Sequence, residues 1–243
     1  MKEYDITTYG ENVALFYDAM YPVYEEAMIE TLARFARGSR ALELGIGTGR
    51  IAVPLTEKGI EVVGIDASSS MIEKLRAKPG GENIPVTVGN FADVAVEGQY
   101  DLVYVVFNTF FALLTQEEQS RCFERVAERL SSRGVFVIEA FVPDPTRFIG
   151  GQAIRAAQVT MDGVRLDAAM HDAVSQRVTG QHIHITGQGI KLIPIQIRYA
   201  WPSEMDLMAR LAGLKLQARW DDWTGRPFTS ESQRHISVYE RAI

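Results

Sequence analysis

The sequence has little of what several classes of protein require. One cysteine, Cys122, occurs among 243 residues, so no disulfide can form within the chain. Four histidines and one cysteine are too few and too scattered for a recognisable zinc site, and we expect no bound metal. No apolar run approaches the length of a membrane span, and the N-terminus lacks an apolar signal core. We therefore expect a cytoplasmic protein with no membrane partner.

Positive charge is scarce as well. The 25 Lys and Arg residues are outnumbered by 31 Asp and Glu residues, the net charge is -6, and no basic run is present. Because binding to DNA or RNA depends on basic side chains at phosphates, we expect no nucleic-acid partner. The hydrophobic content of 47% is enough for a full core, and the length suits one α/β domain, with or without an insertion.

One short glycine-rich segment organises the rest of the chain. Residues 41–44 predict a buried strand and residues 50–58 predict a helix, with Gly45, Gly47 and Gly49 between them. Glycines at such a turn let the backbone approach a ligand closely, and the first N–H groups of the helix then point at that ligand. The segment predicts a ligand-binding loop, while a tight turn without a ligand is the alternative.

The spacing of this loop differs from the dinucleotide-binding fingerprint G-x-G-x-x-G. Gly49 comes one residue too early to be the third glycine, and Arg50 occupies the position that the fingerprint gives to glycine. Glu43 precedes the loop, where an acidic side chain would repel a pyrophosphate but attract an ammonium group. The loop therefore favours a nucleoside with a positively charged tail over a dinucleotide.

A second acidic residue, Asp66, follows the loop at the spacing expected for a ribose-binding carboxylate. Residues 61–66 predict the next parallel strand, which ends at Asp66, 21 positions after Gly45, where a carboxylate can accept both ribose hydroxyls. Strand, glycine loop, helix, strand and acid together resemble the class I S-adenosylmethionine-dependent methyltransferases, whose motif I is similar to this loop. The resemblance covers residues 38–141 and 203–243. The remaining segments resemble, more loosely, the amino-sugar N-methyltransferases.

The resemblance implies S-adenosylmethionine as the cofactor and S-adenosylhomocysteine as the product, without a metal. It implies that the glycines and Glu43 hold the methionine end and that Asp66 binds the ribose. Asn90 and Phe91 would bind the adenine; Asn90 replaces the commoner Asp, but its carbonyl can still accept from the adenine amine. Core packing explains Met71 equally well. The implied cofactor-binding residues are Tyr9, Tyr17, Glu43, Gly45, Gly47, Gly49, Asp66, Ala67, Met71, Asn90, Phe91 and Phe107.

The resemblance also implies the fold class, which is α/β: a Rossmann-like seven-stranded methyltransferase sheet with an antiparallel last strand, a helical N-terminal cap and an antiparallel β insertion after the fifth strand. Residues 1–38 would form the cap, residues 39–145 and 201–243 the S-adenosylmethionine-binding domain, and residues 146–200 the insertion, which would be a substrate lid or a dimer element. Further predicted strands are 86–89, 100–106, 135–141, 164–170, 176–186, 190–199, 214–220 and 235–241, and predicted helices include 11–18, 23–37 and 116–130, the last ended by Gly134.

The chemistry that this family performs leaves few marks in a sequence. We expect transfer of a methyl group to nitrogen or oxygen of a small metabolite by in-line displacement from a sulfonium. A base is needed only if the acceptor must lose a proton early. Tyr17, Asn108 and His171 are the candidate catalytic residues. His182 and His184 share one face of a predicted strand, and we expect that face to be exposed to solvent.

Three alternatives stay open on sequence alone. A methyltransferase acting on a protein or RNA would keep the same cofactor site, but the acidic chain counts against RNA. A nucleotide-dependent oxidoreductase would need the third glycine one residue later. A protein that binds the cofactor without catalysis would have the same pattern. We expect a small-molecule methyl acceptor as the partner, and we consider a homodimer formed through the insertion.

Overall fold

The computed structural model describes residues 3–37 and 40–242. The helices are α1 Thr8–Val13, α2 Tyr17–Met20, α3 Glu26–Ala36, α4 Ala52–Glu57, α5 Ser69–Arg76, α6 Gln116–Arg129 and α7 Pro202–Leu211. The strands of a main sheet are β1 Arg40–Leu44, β2 Glu61–Asp66, β3 Val86–Val88, β4 Tyr100–Val105, β5 Leu130–Phe141, β10 Leu214–Trp220 and β11 Arg234–Arg241. The strands of a second sheet are β6 Gln152–Val159, β7 Gly163–Asp172, β8 Arg177–Thr186 and β9 Gly189–Arg198.

The main sheet has the predicted topology. Its strands follow one another in the order β10-β11-β5-β4-β1-β2-β3, and β1 pairs in parallel with both β2 and β4. The last strand, β11, pairs antiparallel with β5 and with β10. The predicted fold class is therefore confirmed. The division into three domains stays a prediction, and its boundary between residues 38 and 39 lies outside the described residues.

Both faces of the main sheet are buried, as the apolar run of β4 predicts. Leu102 and Tyr104 pack into one core cluster with α3 and α4, whereas Val103 and Val105 pack into another with α6 and α7. All four side chains are fully buried. Helix α3 thus belongs to the core of the main sheet, although its sequence lies in the segment predicted to be a cap.

The N-terminal helices are shorter than predicted. The helix predicted over residues 11–18 is instead the pair α1 and α2, because Phe16 leaves the helical conformation with φ -132° and ψ 7°. This break lets Tyr9, Phe16 and Tyr17 pack together with Val13 on one side. The helix predicted to begin at residue 23 begins at Glu26. The helices α1 and α2 consequently present a row of aromatic rings rather than one continuous apolar stripe.

The predicted role of Gly134 as the stop of α6 is wrong. The helix has already ended when β5 begins at Leu130. The strand bulges between Leu130, which pairs with Tyr100, and Val135, which pairs with Leu102. A Cβ on Gly134 would lie 2.6 Å from the carbonyl oxygen of Tyr100. The glycine is therefore needed where two strands approach closely, not where the helix ends.

The insertion forms a four-stranded antiparallel sheet, in which β6 is a strand that the predicted set of three lacks. One face, which we call the inner face, packs against the N-terminal helices. On it, the His182 ring lies 6.5 Å from that of Tyr9 and the His184 ring lies 6.2 Å from that of Phe16, measured between ring centroids. The expectation that these histidines face solvent is therefore wrong. Alternation alone cannot tell which face of a strand is covered by a distant segment.

No helix among residues 3–37 and 40–242 is long and apolar enough to cross a membrane.

Gly64 in β2 offers a test of how tightly the glycine loop packs on the sheet. A Cβ at this position would overlap the side chain of Ile46, which lies in that loop. We expect Gly64→Ala to lower the free energy of unfolding by about 1–3 kcal/mol, because overpacking a core costs that much. Urea unfolding, monitored by circular dichroism, measures this change in the free energy of unfolding. Gly187→Ala is the control, since its Cβ would meet no atom within 4 Å; equal midpoints for both variants would contradict the tight packing.

Candidate active site

A cavity of about 140 Å³ opens at the carboxyl ends of the parallel strands, and we call it the strand-end cavity. It lies beside β1, where the strand order reverses: β2 and β3 follow on one side of β1, and β4 and β5 lie on the other. Ligands of open α/β sheets bind at such a switch point. The predicted cofactor-binding residues that line it are Tyr9, Tyr17, Glu43, Gly45, Gly47, Asp66, Ala67, Met71, Asn90, Phe91 and Phe107.

The glycine loop has a conformation that other residues adopt only with strain. Gly45, Gly47 and Gly49 have φ values of 72°, 55° and 73°. Gly45 donates its N–H to the carbonyl of Ile65 at 2.8 Å, which ties the loop to β2. Gly49 is not among the residues that line the cavity, and a Cβ there would overlap the side chain of Leu75. The third glycine thus allows the loop to pack on α5.

The carboxylate of Asp66 is held by two backbone N–H groups. Gly47 donates to Oδ2 at 2.7 Å, and Ser68 donates to Oδ1 at 2.8 Å. Burial raises the pKa of this carboxyl, and the two N–H donors oppose that rise. Each oxygen keeps a further lone pair, so the group can still accept from a diol. These contacts fit the role in ribose binding that the sequence predicts.

Glu43 is buried at the base of the same cavity. Its Oε2 accepts a hydrogen bond from the hydroxyl of Tyr104 at 2.8 Å, and only 4% of the residue is exposed. Burial raises the pKa of the Glu43 carboxyl to about 8. The carboxyl is therefore largely protonated near neutral pH, and a nearby ammonium group would favour its ionised form.

Arg50 is a lining residue whose role the sequence did not reveal. Its guanidinium lies 3.6 Å from the centroid of the Phe107 ring, and Nη1 donates to the carbonyl of Val23 at 3.0 Å. Its Nε is buried and has no hydrogen-bond partner within the described part of the chain. Because Arg50 lines the cavity, its guanidinium is a candidate partner for a carboxylate bound there. The position of Arg50 at the start of the predicted helix could have indicated this role. In the sequence, that position served only as evidence against a dinucleotide ligand.

The adenine-binding candidates lie on the segment after β3. The Oδ1 of Asn90 accepts from the N–H of Ala92 at 2.9 Å, and its Nδ2 donates to Glu118 at 3.2 Å. That oxygen has a second lone pair for an exocyclic amine. Phe91 is buried in the main core and also lines the cavity. Met71 lines the cavity and packs against Val13 as well, so both of its proposed roles agree with its position.

The helices α1 and α2 are fastened over the strand-end cavity by polar contacts. Glu11 accepts from the Ser68 hydroxyl at 2.7 Å. Asp18 accepts from the Thr48 hydroxyl at 2.6 Å and forms an ion pair with Lys78 at 2.8 Å. These contacts join both helices to the glycine loop and to the segment after Asp66. The contacts hold both helices against the predicted cofactor-binding residues.

Tyr9 and Tyr17, on these helices, line the cavity with their rings. Burial raises the pKa of both hydroxyls, and the neighbouring phenol of Tyr21 adds to the rise for Tyr9. Neither tyrosine is therefore suited to lose its proton near neutral pH. Both remain available as hydrogen-bonding and packing groups.

The other two catalytic candidates are not among the residues that line the strand-end cavity. The Oδ1 of Asn108 accepts from the N–H of Phe141 at 2.7 Å, and Asn108 itself has a left-handed φ of 65°. His171 stacks on Phe148 with ring centroids 4.5 Å apart, and its Nε2 lies 2.9 Å from the hydroxyl of Tyr199. Neither residue lines the cavity, so their catalytic role stays a prediction with no contact to support it.

A second cavity of about 970 Å³ lies against the inner face of the insertion, and we call it the sheet cavity. Its floor contains the small residues Ala153, Ala169 and Gly180, and His182 lines one side. Tyr9, which lines the strand-end cavity, packs edge-on against His182. The two cavities are therefore neighbours, separated by these two rings. In the described residues, no group of three His, Cys, Asp or Glu side chains could hold a metal ion.

Known proteins share this architecture. A model of the methyltransferase domain family matches residues 41–134. The solved structure of the CcbJ methyltransferase from Streptomyces caelestis is similar over 99% of this chain and 100% of its own, with 37% sequence identity and a TM-score of 0.91. This chain is a member of the S-adenosylmethionine-dependent methyltransferases. The predicted family and enzyme class are confirmed, and the oxidoreductase alternative is set aside.

Other relatives of this methyltransferase carry more specific names. The cypemycin N-terminal methyltransferase of a Streptomyces species is 28% identical over 206 residues, which are 84% of this chain and 84% of that protein. The CalS10 structure from Micromonospora echinaspora, an amino pentose methyltransferase, has a TM-score of 0.69 and 20% identity over 93% of this chain and 96% of its own. At 20% identity, the likeness to the CalS10 structure shows the shared fold alone.

The burial of Glu43 predicts that the binding of S-adenosylmethionine releases protons at pH 7. With a pKa of about 8, Glu43 is mostly protonated there, and the ammonium and sulfonium charges of the ligand would lower that pKa. Calorimetric titrations in buffers of different ionisation enthalpy measure the number of protons released.

We expect release of up to one proton at pH 7 and almost none at pH 9, where the carboxyl is already ionised. Glu43→Gln should bind without this release at either pH. Equal proton release by the variant and the wild type would contradict the assignment to Glu43.

Proposed function

We propose that this methyltransferase transfers the methyl group of S-adenosylmethionine to an amine nitrogen of a small-molecule acceptor. The observation that carries the proposal is the pair of adjoining cavities, one built around the glycine loop and the other against the insertion. The first would hold the cofactor and the second the acceptor. A cavity of about 970 Å³ falls within the range of small-molecule sites, which supports a compact acceptor.

The residues of the strand-end cavity fit S-adenosylmethionine in charge and in shape. The guanidinium of Arg50, which lines this cavity, suits the carboxylate of the methionine end. Glu43 suits its ammonium group, and Asp66 suits the ribose hydroxyls. Asn90 and Phe91 would contact the adenine. When bound there, the cofactor supplies a methyl group on a positively charged sulfur, which a lone pair of the acceptor displaces.

The protein's own contribution is alignment of the acceptor with that methyl group. A well-oriented pair of reactants can gain about 7–11 kcal/mol from positioning. Tyr9 and the aromatic rings beside it would limit how an acceptor approaches and would exclude water. This division of labour explains why no nucleophile or metal cluster is needed at the cavity.

An amine acceptor is favoured over a hydroxyl by two observations. The phenols at the junction, Tyr9 and Tyr17, have raised pKa values because they are buried, so neither suits the strong base that an alcohol would need. An amine needs only to arrive without its extra proton. In addition, the relative named as an N-terminal methyltransferase is 28% identical to this chain. A peptide N-terminus is therefore one of the acceptors to test.

Matched acceptor pairs test the proposal. We expect S-adenosylhomocysteine to form with benzylamine, D-glucosamine or an alanyl peptide amide, but not with benzyl alcohol, D-glucose or the N-acetylated peptide. A coupled assay for S-adenosylhomocysteine measures turnover, and Asp66→Asn, which weakens the hold on the ribose, is the control that should abolish it without unfolding the protein. Turnover of the hydroxyl partners alone, or of none of the amines, would contradict an amine acceptor.

We also propose that two copies associate through the outer face of the second sheet. The exposed apolar side chains there include Ile154, Met170, Ile190 and Leu192, which are 71%, 57%, 68% and 54% exposed. Cross-strand pairing joins Ile190 to Ile185 and Leu192 to Ile183, so these four side chains form one apolar patch. A second copy can cover it face to face, as paired sheets do.

Light scattering after size-exclusion chromatography tests this association. We expect a mass twice the 27.1 kDa of one chain. Leu192→Glu should give the mass of one chain, because a charge on the apolar face opposes its burial. Leu207→Glu is the matched control, since Leu207 on α7 is 53% exposed but lies elsewhere. A single-chain mass for the wild type would overturn the proposal.

A further inference from the structure

The inner face of the second sheet carries an ion pair that the cofactor site does not use. Nδ1 of His182 lies 2.6 Å from Oδ1 of Asp167, which faces it across β7 and β8. The other carboxylate oxygen of Asp167 accepts from Arg155 on β6 at 3.0 Å. The His182 side chain is 19% exposed and that of Asp167 is 18% exposed. The pair is thus largely shielded from bulk water.

These contacts decide which nitrogen of His182 carries the proton. Burial alone would raise the pKa of Asp167, but the hydrogen bond from His182 and the charge of Arg155 outweigh it and lower that pKa. The carboxylate therefore stays ionised and accepts a hydrogen from Nδ1. In the neutral ring the remaining nitrogen, Nε2, must then carry a lone pair. The tautomer is thus assigned from the hydrogen-bond partners of the ring.

The position of that lone pair is suited to an acceptor. His182 lines the sheet cavity, and its ring meets Tyr9, which lines the strand-end cavity. Within the described residues, Nε2 of His182 has no hydrogen-bond partner, and it is not among the buried polar atoms that lack one. This nitrogen is therefore accessible to a ligand. The floor beside it, with Ala169 and Gly180, leaves room for a ligand.

The groups that face His182 from each neighbouring element are few. Asp167 lies opposite on β7, with Arg155 behind it on β6, and Tyr9 lies opposite on α1. Across on β9, His182 pairs with Ile193, which is uncharged. On its own strand, His184 is the nearest titratable group. Asp167 is therefore the one carboxylate in direct contact with the ring among the described residues.

The other basic candidates are less well placed. His184 packs on Phe16, its Nε2 is buried without a partner in the described chain, and burial lowers its pKa. His171 has its Nε2 beside the hydroxyl of Tyr199 and does not line the sheet cavity. His182 alone combines a carboxylate on one nitrogen with access to the cavity through the other.

We propose that His182, held by Asp167, accepts the proton of the incoming ammonium group at Nε2 and so delivers the acceptor as a neutral amine. This role rests on the proposed function. The N–H bond of the ammonium breaks, its electron pair stays on nitrogen, and the proton forms a bond to Nε2. That lone pair then forms the new N–C bond as the C–S bond breaks, with its electrons left on sulfur. The methylated nitrogen is again a cation and keeps its remaining protons, two in the case of a primary amine, and His182 later returns the first proton to solvent.

Nitrogen NMR of histidine-labelled protein tests the tautomer without any acceptor. Four histidines occur in the sequence, so loss of one signal in His182→Gln assigns its resonances. We expect neutral His182 to carry its hydrogen on Nδ1. Asp167→Asn should move that hydrogen to Nε2, because the Asn amide can donate to Nδ1. A wild-type ring with its hydrogen on Nε2 would overturn the proposal.

Kinetics with benzylamine test the catalytic role of His182 and the positioning role of Asp167. We expect His182→Gln and Asp167→Asn to lower kcat/KM about 100-fold at pH 7, a loss typical of a removed general base. The loss should shrink as the pH approaches the pKa of the amine, where neutral amine is already present. Affinity for S-adenosylhomocysteine should stay unchanged in both.

His184→Gln is the matched control, since it changes a histidine two residues away on the same face. We expect it to keep the wild-type profile. Full activity of His182→Gln at pH 7 would overturn this role while leaving the amine acceptor intact. Failure of the wild type to methylate any amine, despite binding S-adenosylhomocysteine, would overturn the proposed acceptor and this role together.

Discussion

The carboxylate of Asp66, held between the N–H groups of Gly47 and Ser68, is the constraint on which the rest of the site depends. It joins the end of β2 to the glycine loop and to the start of α5. The hydroxyl of Ser68 in turn donates to Glu11, so the N-terminal helices are fastened to the same point. Because α1 also carries Tyr9, Asp66 is linked through Ser68 and Glu11 to the wall between the two cavities.

In the proposed mechanism, the charged groups of each cavity match the ligand that the cavity would hold. The strand-end cavity is lined by the buried carboxyl of Glu43 and by the guanidinium of Arg50, which suit the ammonium and the carboxylate of an amino-acid tail. The sheet cavity holds an aspartate–histidine pair, which suits a group that arrives with an extra proton. Between the two cavities lie the phenols of Tyr9 and Tyr17, which burial keeps protonated. A reaction whose leaving group is already activated needs little more than this alignment and the removal of one proton.

Much of this was predictable from the sequence, because local patterns determine it. The bounds of β2 and of β10, the glycine loop and the lining role of Asp66 all followed from strand patterning and spacing. What was missed depends on contacts between distant segments. The partners of Arg50 are Val23, between α2 and α3, and Phe107, in the segment after β4, and the ring of His182 is covered by α1. Gly134 looked like a helix stop because its true neighbour, Tyr100, is far away in the chain.

A crystal structure with S-adenosylhomocysteine bound is the most direct test that the strand-end cavity is the cofactor site and the sheet cavity its acceptor neighbour. The account predicts adenine beside Asn90 and Phe91, ribose hydroxyls on Asp66, the carboxylate within hydrogen-bond distance of Arg50, and the sulfur turned toward Tyr9. Density for the ligand in the sheet cavity, or a bound ligand whose sulfur faces away from Tyr9, would contradict it.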